Sequence, residues 1–489
     1  MNSFEYKQLA HLVKEISMPA GATLYQKDQP FPGACYLIRT GTVSFRDGTD
    51  GYHEKGKKEG FGFDTLLMDA PAETAIAKED CVLGMLSRRT IQEVIQHMSR
   101  LNTKPAKRIL YPLDKLQRHR LLGEGSFGKV WLVHPLEHNL RSISNNSMLV
   151  EPFALKVQKK RALLDEKQVP AVTREIAVMA ELNHPFICKL VNVYMDERNV
   201  FMLMNIIRGG ELYSAMKKMG IRGMPEKDSK FYAAGILEGL CYMHNRDIAY
   251  RDLKAENVLL DKDGYPVIVD LGFAKRVSEK TFTTCGTPLY VAPEVILGRG
   301  HDTSCDYWSW GILIYEMLSG ATPFERYAAD HSLLFKTICK GHFKMSRKIP
   351  ENSDVADLIR QTLTVDPSER LGSFAGGTMD VKQHPWLMDV DFYQLSQKKY
   401  RAPWLPLIRD ALDAGGKRGG TRTLGEDFDD DDDKKNPHAR VTAKEQEKFL
   451  GIKQVMRSIH GEGIDPEDQS TPFYSTRNID GRQSLMDLS

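Results

Sequence analysis

No stretch of this 489-residue chain stays apolar for the roughly 18 residues that a membrane-crossing helix requires, so no membrane span is expected. None of the seven cysteines (Cys35, Cys81, Cys188, Cys241, Cys285, Cys305 and Cys339) forms a C-x-x-C pair. An odd, dispersed set argues against a disulfide framework or a zinc knuckle and points to free thiols in a reducing compartment. Net charge is almost absent: 67 Lys and Arg against 65 Asp and Glu leave +2. That argues against a nucleic-acid binder held mainly by bulk charge and leaves room only for a local patch. The opening MNSFEYKQLAHLVKEI lacks the apolar core of a signal peptide, and residue 2 is Asn rather than the glycine that myristoylation needs. The expected location is the cytoplasm. What remains is an ordinary globular balance, 41% hydrophobic and 27% charged, with length for about two to four domains.

Glycine-punctuated, strand-like pieces fill the first hundred residues: GATLYQKD, ACYLIRTG and TVSFRDG. Leu9, Leu12, Val13 and Ile16 fall on one helical face, which predicts a helix over 4–16, and TIQEVIQHM predicts another closing the block near 98. The expectation for 1–100 is therefore a β-roll flanked by helices. Residues 101–116, with two prolines and several basic residues, read as a linker, and 117–387 as one large α/β segment. From 388 to 489 the chain turns extended and polar, partly disordered, with a glycine-rich stretch at 414–420 and EDFDDDDDKK at 426–435.

Chemistry concentrates in the large segment. LLGEGSFGKVWLV sets Gly123, Gly125 and Gly128 between two β-prone runs. Because KVWLV continues as a strand, the loop reads as a hairpin in which backbone N–H groups can approach phosphate oxygens without side-chain obstruction. FALKV places Lys156 inside an apolar strand, where an ammonium is costly unless paired, and VTREIAVMAEL offers Glu175 on an amphipathic helix as its partner. IAYRDLKAENVLL then crowds Asp252, Lys254 and Asn257 between apolar flanks, and VIVDLGFAK ends a strand on Asp270. CGTPLYVAPE and DYWSWG follow.

In this order the set resembles the eukaryotic protein kinases, over about 117–387. The resemblance implies a bilobal α+β kinase fold that uses ATP and Mg²⁺. ATP contacts fall to Gly123, Gly125, Gly128, Val130, Lys156, Glu175, Met204 and Glu211. Asp252 takes or orients the substrate hydroxyl's proton, Lys254 meets the γ-phosphate, and Asn257 and Asp270 hold magnesium. Thr287 is expected to hydrogen-bond near Asp252 and Lys254, and Glu294 to pair with Arg370. The usual D-F-G reads Asp270-Leu271-Gly272, which keeps an apolar plug. Arg251 needs an anion, and phosphorylated Thr283 would supply it with Lys275 as a second contact.

YRDLKAEN, TFTTCGTPLYVAPE, HPW and the long tail resemble the cyclic-nucleotide-dependent branch of the AGC kinases. Glu211, Glu256 and Glu316 match positions that read substrate arginines three and two residues before the acceptor, so the expected partners are basic Ser/Thr protein substrates. KYRAPWLP resembles the segment that wraps the lobes. EDFDD around Phe428 resembles the tail motif approaching ATP, with Asp431 where tyrosine is usual. Thr442 resembles a turn phosphorylation site, and Phe449–Ile452 loosely resembles a hydrophobic motif.

FGFDTLLMDAPAETAIA resembles the phosphate-binding cassette of cyclic-nucleotide-binding domains, with Gly21 and Gly41 at turns of the β-roll. The family's ribose-binding glutamate falls on Phe63 and its phosphate-pairing arginine on Ala72, beside Glu73. These departures predict a retained fold whose ligand chemistry is lost. Both modules in one chain resemble the cGMP-dependent protein kinases. The alternatives are a catalytically silent scaffold of the same fold and a kinase activated by cGMP or cAMP.

Overall fold

The computed structural model describes residues 13–29, 33–47, 52–63, 65, 70–88, 111–125, 128–135, 152–219, 223–277, 280–283, 285–374, 376–405 and 441–460. The chain divides into two units, residues 1–106 with 374–383, and residues 107–373 with 384–489.

The first unit holds eight strands: β1 (Lys14–Met18), β2 (Thr23–Tyr25), β3 (Ala34–Thr40), β4 (Val43–Arg46), β5 (Tyr52–Lys55), β6 (Gly60–Phe61), β7 (Thr74–Ala77) and β8 (Cys81–Ser87). They form two antiparallel four-stranded sheets, β1-β8-β3-β6 and β2-β7-β4-β5. Alternation drives the inward faces: Val43 and Phe45 on β4, and Ala75 and Ala77 on β7, are buried with Tyr25, Tyr36, Ile38, Phe61 and Leu83. Gly21 and Gly41 both turn at positive φ, +80° and +87°. At Gly41 a Cβ would also sit 2.6 Å from Cys81 Sγ, so only glycine fits.

The helix expected over 4–16 is corrected at its C-terminal end. Residues 14–16 belong to β1, where Ile16 pairs with Leu83 of β8. Ile16 and Met18, two apart, pack on the core, so a period of two overrides the helical spacing. Residues 4–12 and the helix expected at 90–98 lie outside the described residues.

The second unit opens with an antiparallel sheet in the order β12-β13-β11-β10-β9. Its strands are β9 (Leu116–Gly125), β10 (Gly128–Pro135), β11 (Phe153–Lys159), β12 (Leu190–Met195) and β13 (Asn199–Asn205). The glycine-rich segment is the expected hairpin, with Val130 opposite Gly123 on one side and Lys156 on the other. Gly128 is obligatory there, because a Cβ would lie 1.9 Å from Val157 O. Helices α1 (Lys160–Asp165) and α2 (Val169–Glu181) follow β11, and α2 buries Val172, Ile176 and Met179. The rest is mostly helical, with α3 (Leu212–Met219), α4 (Glu226–His244) and α5 (Ser304–Ser319). Helix α5 is buried along nearly its whole length, and the fully enclosed Trp308 and Trp310 lie on it. Small antiparallel pairs carry the chemistry: β14 (Ile248–Ala249) with β17 (Lys275–Arg276), and β15 (Val258–Leu260) with β16 (Pro266–Ile268).

The tail differs from its extended, polar expectation. Residues 443–446 and α6 (Leu450–His460) are helical, and α6 packs against α2 and β12. Phe449, Ile452 and Met456 are buried there, each contributing about 1.5–3 kcal/mol by leaving water. Their spacing of three and four is a helical stripe. Lys160 reaches across with its ammonium 5.0 Å above the Phe449 ring and 2.6 Å from Gln446 Oε1. Phe428 and Asp431 lie outside the described residues.

Candidate active site

The stretch between β14 and β15 is held from below by Asp306 of α5. This carboxylate, fully buried, accepts from Tyr250 N at 2.8 Å, Arg251 N at 2.7 Å and His244 Nε2 at 2.8 Å. Three donors fix the backbone, which lets Arg251 persist at φ +71°, a strained value for a side-chain-bearing residue. The Tyr250 hydroxyl donates to Val269 O at 2.6 Å, joining the loop to the strand that leads to Asp270.

Four expected residues meet on this platform. Asn257 Nδ2 donates to Asp252 Oδ2 at 2.8 Å, and Thr287 Oγ1 donates to Asp252 Oδ1 at 3.0 Å. Lys254 Nζ lies 3.1 Å from Asp252 Oδ2 and 2.8 Å from Thr287 Oγ1. Asp252 is therefore a buried acceptor with its orientation fixed on both oxygens, beside a cation that can meet an incoming phosphate.

Lys156 Nζ lies 2.7 Å from Glu175 Oε1, joining β11 to α2. Burial works against the ammonium, but the Glu175 and Asp270 carboxylates outweigh it, so its pKa is raised and it stays charged. Asp270, exposed and at φ +53°, accepts only a long 3.3 Å bond from Gly272 N, while Leu271 beside it is fully buried as the plug. The donor set fits a hard cation: Asn257 spends its N–H on Asp252 and keeps its amide oxygen, and Asp270 offers a carboxylate. Met204, next to last on β13, lies opposite Ala154, and exposed Glu211 forms a backbone bridge with Leu259. Gly123, Gly125, Gly128 and Val130 all lie in the β9–β10 hairpin.

Glu316 and Glu256 come together. Burial pushes the Glu316 carboxyl up to about 7; the Tyr290 hydroxyl donated to it pulls the other way, and the charges of Glu256 and Glu325 add to the rise. Glu211, just before α3, is exposed.

Thr283 is exposed, whereas Lys275 donates to Thr281 Oγ1 at 2.8 Å rather than to Thr283. Glu294 and Arg370 form the expected pair, doubly bonded at 2.7 and 2.8 Å. Thr442 is the N-cap of the tail helix: its hydroxyl accepts from Glu445 N at 3.3 Å, and Glu445 also binds Arg161 of α1 at 2.9 and 3.1 Å.

Sequence reading had given no role to Asp306, Tyr290 or Lys160. DYW and LYVAPE carried the first two in plain view, but only the fold shows that Asp306 accepts from Tyr250 and Arg251 and that Tyr290 donates to Glu316. Lys160 had a weaker signal, a doubled lysine closing an apolar strand.

In the first unit, the cassette is pinned by Thr65, whose Oγ1 lies 2.9 and 2.7 Å from the carbonyl oxygens of Ala34 and Gly62. Arg88 Nη2 donates to Thr65 O at 2.6 Å. The two altered positions face outward: Phe63 is 60% exposed and Ala72 is exposed. Glu73 lies 3.7 Å from His53 Nε2.

A family model described as protein kinase domain matches residues 116–387, and one described as cyclic nucleotide-binding domain matches 15–98. The chain is 40% identical to cAMP-dependent protein kinase type 3 of Saccharomyces cerevisiae over 299 residues, covering 61% of this chain and 71% of that one. It is 36% identical over 347 residues to the human cAMP-dependent protein kinase catalytic subunit PRKX, covering 70% and 90%. With human cGMP-dependent protein kinase 2 it shares 40% identity over 306 residues, 62% of this chain but 38% of that one. Among the described residues no helix is long and apolar enough to cross a membrane.

Proposed function

The chain belongs to the protein kinase family, and on that footing we propose that it is an ATP- and Mg²⁺-dependent Ser/Thr kinase of the AGC type acting on arginine-rich protein substrates. The observation that carries this reading is Asp252, buried and gripped by Asn257, Thr287 and Lys254. The substrate hydroxyl oxygen bonds to the γ-phosphorus, the bond to the β–γ bridging oxygen breaks to release ADP, and the hydroxyl proton passes to Asp252. Lys254 meets the transferring group, and Lys156, kept charged and aimed by Glu175, holds the α- and β-phosphates. Magnesium held by Asn257 and Asp270 supplies neutralisation of the phosphate charge. The rate gain is positioning and fixed charge, which is why the supporting bonds to Asp306 matter as much as the residues above them. All seven cysteines are free, which supports a reducing, cytoplasmic setting.

Substrate choice is read by Glu316 with Glu256 for the arginine at minus two, and by Glu211 for the arginine at minus three. Glu316 is only 8% exposed, so its pairing with a guanidinium is largely desolvated. Glu316→Gln is expected to cut the preference for Arg over Ala at minus two by about 30-fold, a loss of about 2 kcal/mol. The same carboxyl gives a pH signature. Its raised pKa of about 7 means that it gains a proton below that pH, and the neutral acid cannot pair with arginine. The Arg-over-Ala preference in kcat/KM should therefore be full at pH 8 and fall by up to about tenfold per unit below pH 7. A flat ratio from pH 6 to 8 contradicts the assignment.

The cyclic-nucleotide-binding unit is proposed to have lost its nucleotide. A cyclic phosphate needs a cation, but Ala72 offers none and Glu73 adds a like charge. Phe63 cannot accept from a ribose hydroxyl. The two losses cost roughly 3–5 kcal/mol, or on the order of a hundred- to a few-thousand-fold in affinity. Calorimetry on the full chain should show no binding of micromolar cGMP or cAMP. A sub-micromolar Kd for either contradicts this.

A further inference from the structure

Two imidazoles meet at the root of the glycine-rich hairpin. His134 on β10 pairs with Gln117 of β9, and His119 stands two residues beyond Gln117. By strand alternation His119 and His134 are therefore diagonal neighbours on one face of the antiparallel pair. Their ring centroids are 4.1 Å apart and the ring planes 30° from parallel. Nε2 of His119 faces Nδ1 of His134, and both residues are half-buried. Burial holds the His119 imidazole below the usual histidine pKa, so the ring is neutral near pH 7.

Two facing ring nitrogens share at most one proton in a hydrogen bond, because a second proton would set two cations ring to ring. The neutral pair thus directs at least one bare lone pair into the space between the rings. Such a lone pair is a good donor to a borderline divalent ion, and Zn²⁺ takes imidazole nitrogen at about 2.0–2.1 Å. Two such bonds need the nitrogens roughly 3 Å apart, a spacing set by turning the rings. Among the described residues no group of three or more His, Cys, Asp or Glu comes together to hold a metal. The protein therefore supplies two ligands and water fills the remaining positions, which makes the ion exchangeable rather than structural.

The position gives the pair leverage. Beyond it the two strands run on to Gly123, Gly125 and Gly128 at the hairpin tip. The ladder is irregular on the way, with register shifts between Val130 and Trp131 and between Trp131 and Val133. Bulges of this kind loosen the pairing of two strands, so a cross-strand tie has something to restrain.

We propose that His119 and His134 form a two-imidazole site for Zn²⁺ that clips β9 to β10 below the glycine-rich turn. Mg²⁺ prefers oxygen donors, so the ion assigned to phosphoryl transfer does not compete for the site. Only the consequence for the phosphate-covering turn rests on the kinase reading; the metal site itself does not.

The test uses the full chain, stripped of metal and kept free of nucleotide, since ATP would itself hold zinc. Zinc chloride is titrated in excess magnesium chloride by calorimetry, and amide hydrogen exchange is mapped with and without zinc. Wild type should bind one zinc ion that magnesium does not displace, and amides of 116–122 and 129–134 should exchange about tenfold more slowly when it is bound. His119→Gln and His134→Gln should each weaken that binding by about tenfold or more and abolish the protection. The wild-type exchange map needs no variant, so a substitution that prevents folding does not spoil the test. Zinc binding that leaves β9 and β10 unprotected overturns the proposal, as does binding and protection unchanged in both variants. Peptide phosphorylation is measured separately and bears on the kinase reading alone, because the exchange map reads the same in an active or an inactive chain.

Discussion

Asp252→Asn is expected to lower kcat by about 10²–10⁴-fold while leaving ATP affinity and thermal stability close to wild type. The amide is isosteric, and it can keep one bond to the Asn257, Thr287 and Lys254 cluster, so the loop should stay in place. What it loses is the ability to take a proton and the negative charge that aligns Lys254. Lys254 lies 3.1 Å from Asp252 and Asn257 donates to it at 2.8 Å, so part of the loss will come from slackened positioning rather than from the proton alone. Single-turnover kinetics separates the two: the chemical step should slow while the ATP dissociation constant does not move. Transfer at a rate within tenfold of wild type would remove Asp252 from its assigned place.

Glu294→Ala is expected to destabilise the second unit by about 3–5 kcal/mol. Arg370 is fully buried and spends two N–H groups on the Glu294 carboxylate. Its remaining bonds, to Ser304 O at 3.0 Å, Thr364 O at 3.1 Å and Val365 O at 3.5 Å, are to neutral carbonyls and cannot balance the charge. Removing the carboxylate strands a guanidinium in the core, the costly direction of breaking such a pair. Urea unfolding followed by tryptophan fluorescence reports it directly, since Trp308 lies beneath the Arg370 guanidinium, 5.4 Å from its ring centre. A midpoint unchanged from wild type would show that the pair contributes little.

The catalytic centre was legible because its residues cluster in short segments whose spacing is itself the chemistry. Asp252, Lys254 and Asn257 lie within six residues, and Lys156 announced a need for Glu175 by being charged in an apolar strand. The bonds that hold this centre were not legible, since they join distant segments. Nothing about Asp306 in DYW says that it will accept from Tyr250 and Arg251, and nothing about Glu316 says that Tyr290 will donate to it.

Two misreadings share one cause, the choice of period over a short window. Ile16 completed a helical face with Leu9 and Leu12, but Ile16 and Met18 also alternate, and pairing with β8 rewards the alternation. In the tail, the charged surroundings of Phe449, Ile452 and Met456 masked a helical stripe that α2 and β12 bury. In the first unit the two lost ligand contacts, at Phe63 and Ala72, were visible in the sequence, whereas Thr65 pinning the cassette to β3 was not.

The most direct measurement is phosphoryl transfer by the purified full chain from ATP and Mg²⁺ to a peptide bearing Arg-Arg-x-Ser, followed by mass spectrometry of the peptide. One phosphate on the serine, absent when magnesium is chelated and formed far more slowly by the Asp252→Asn protein, is the expected result. ATP binding without any transfer to this peptide, or to others with arginine at minus three and minus two, would contradict it and leave a scaffold of kinase shape.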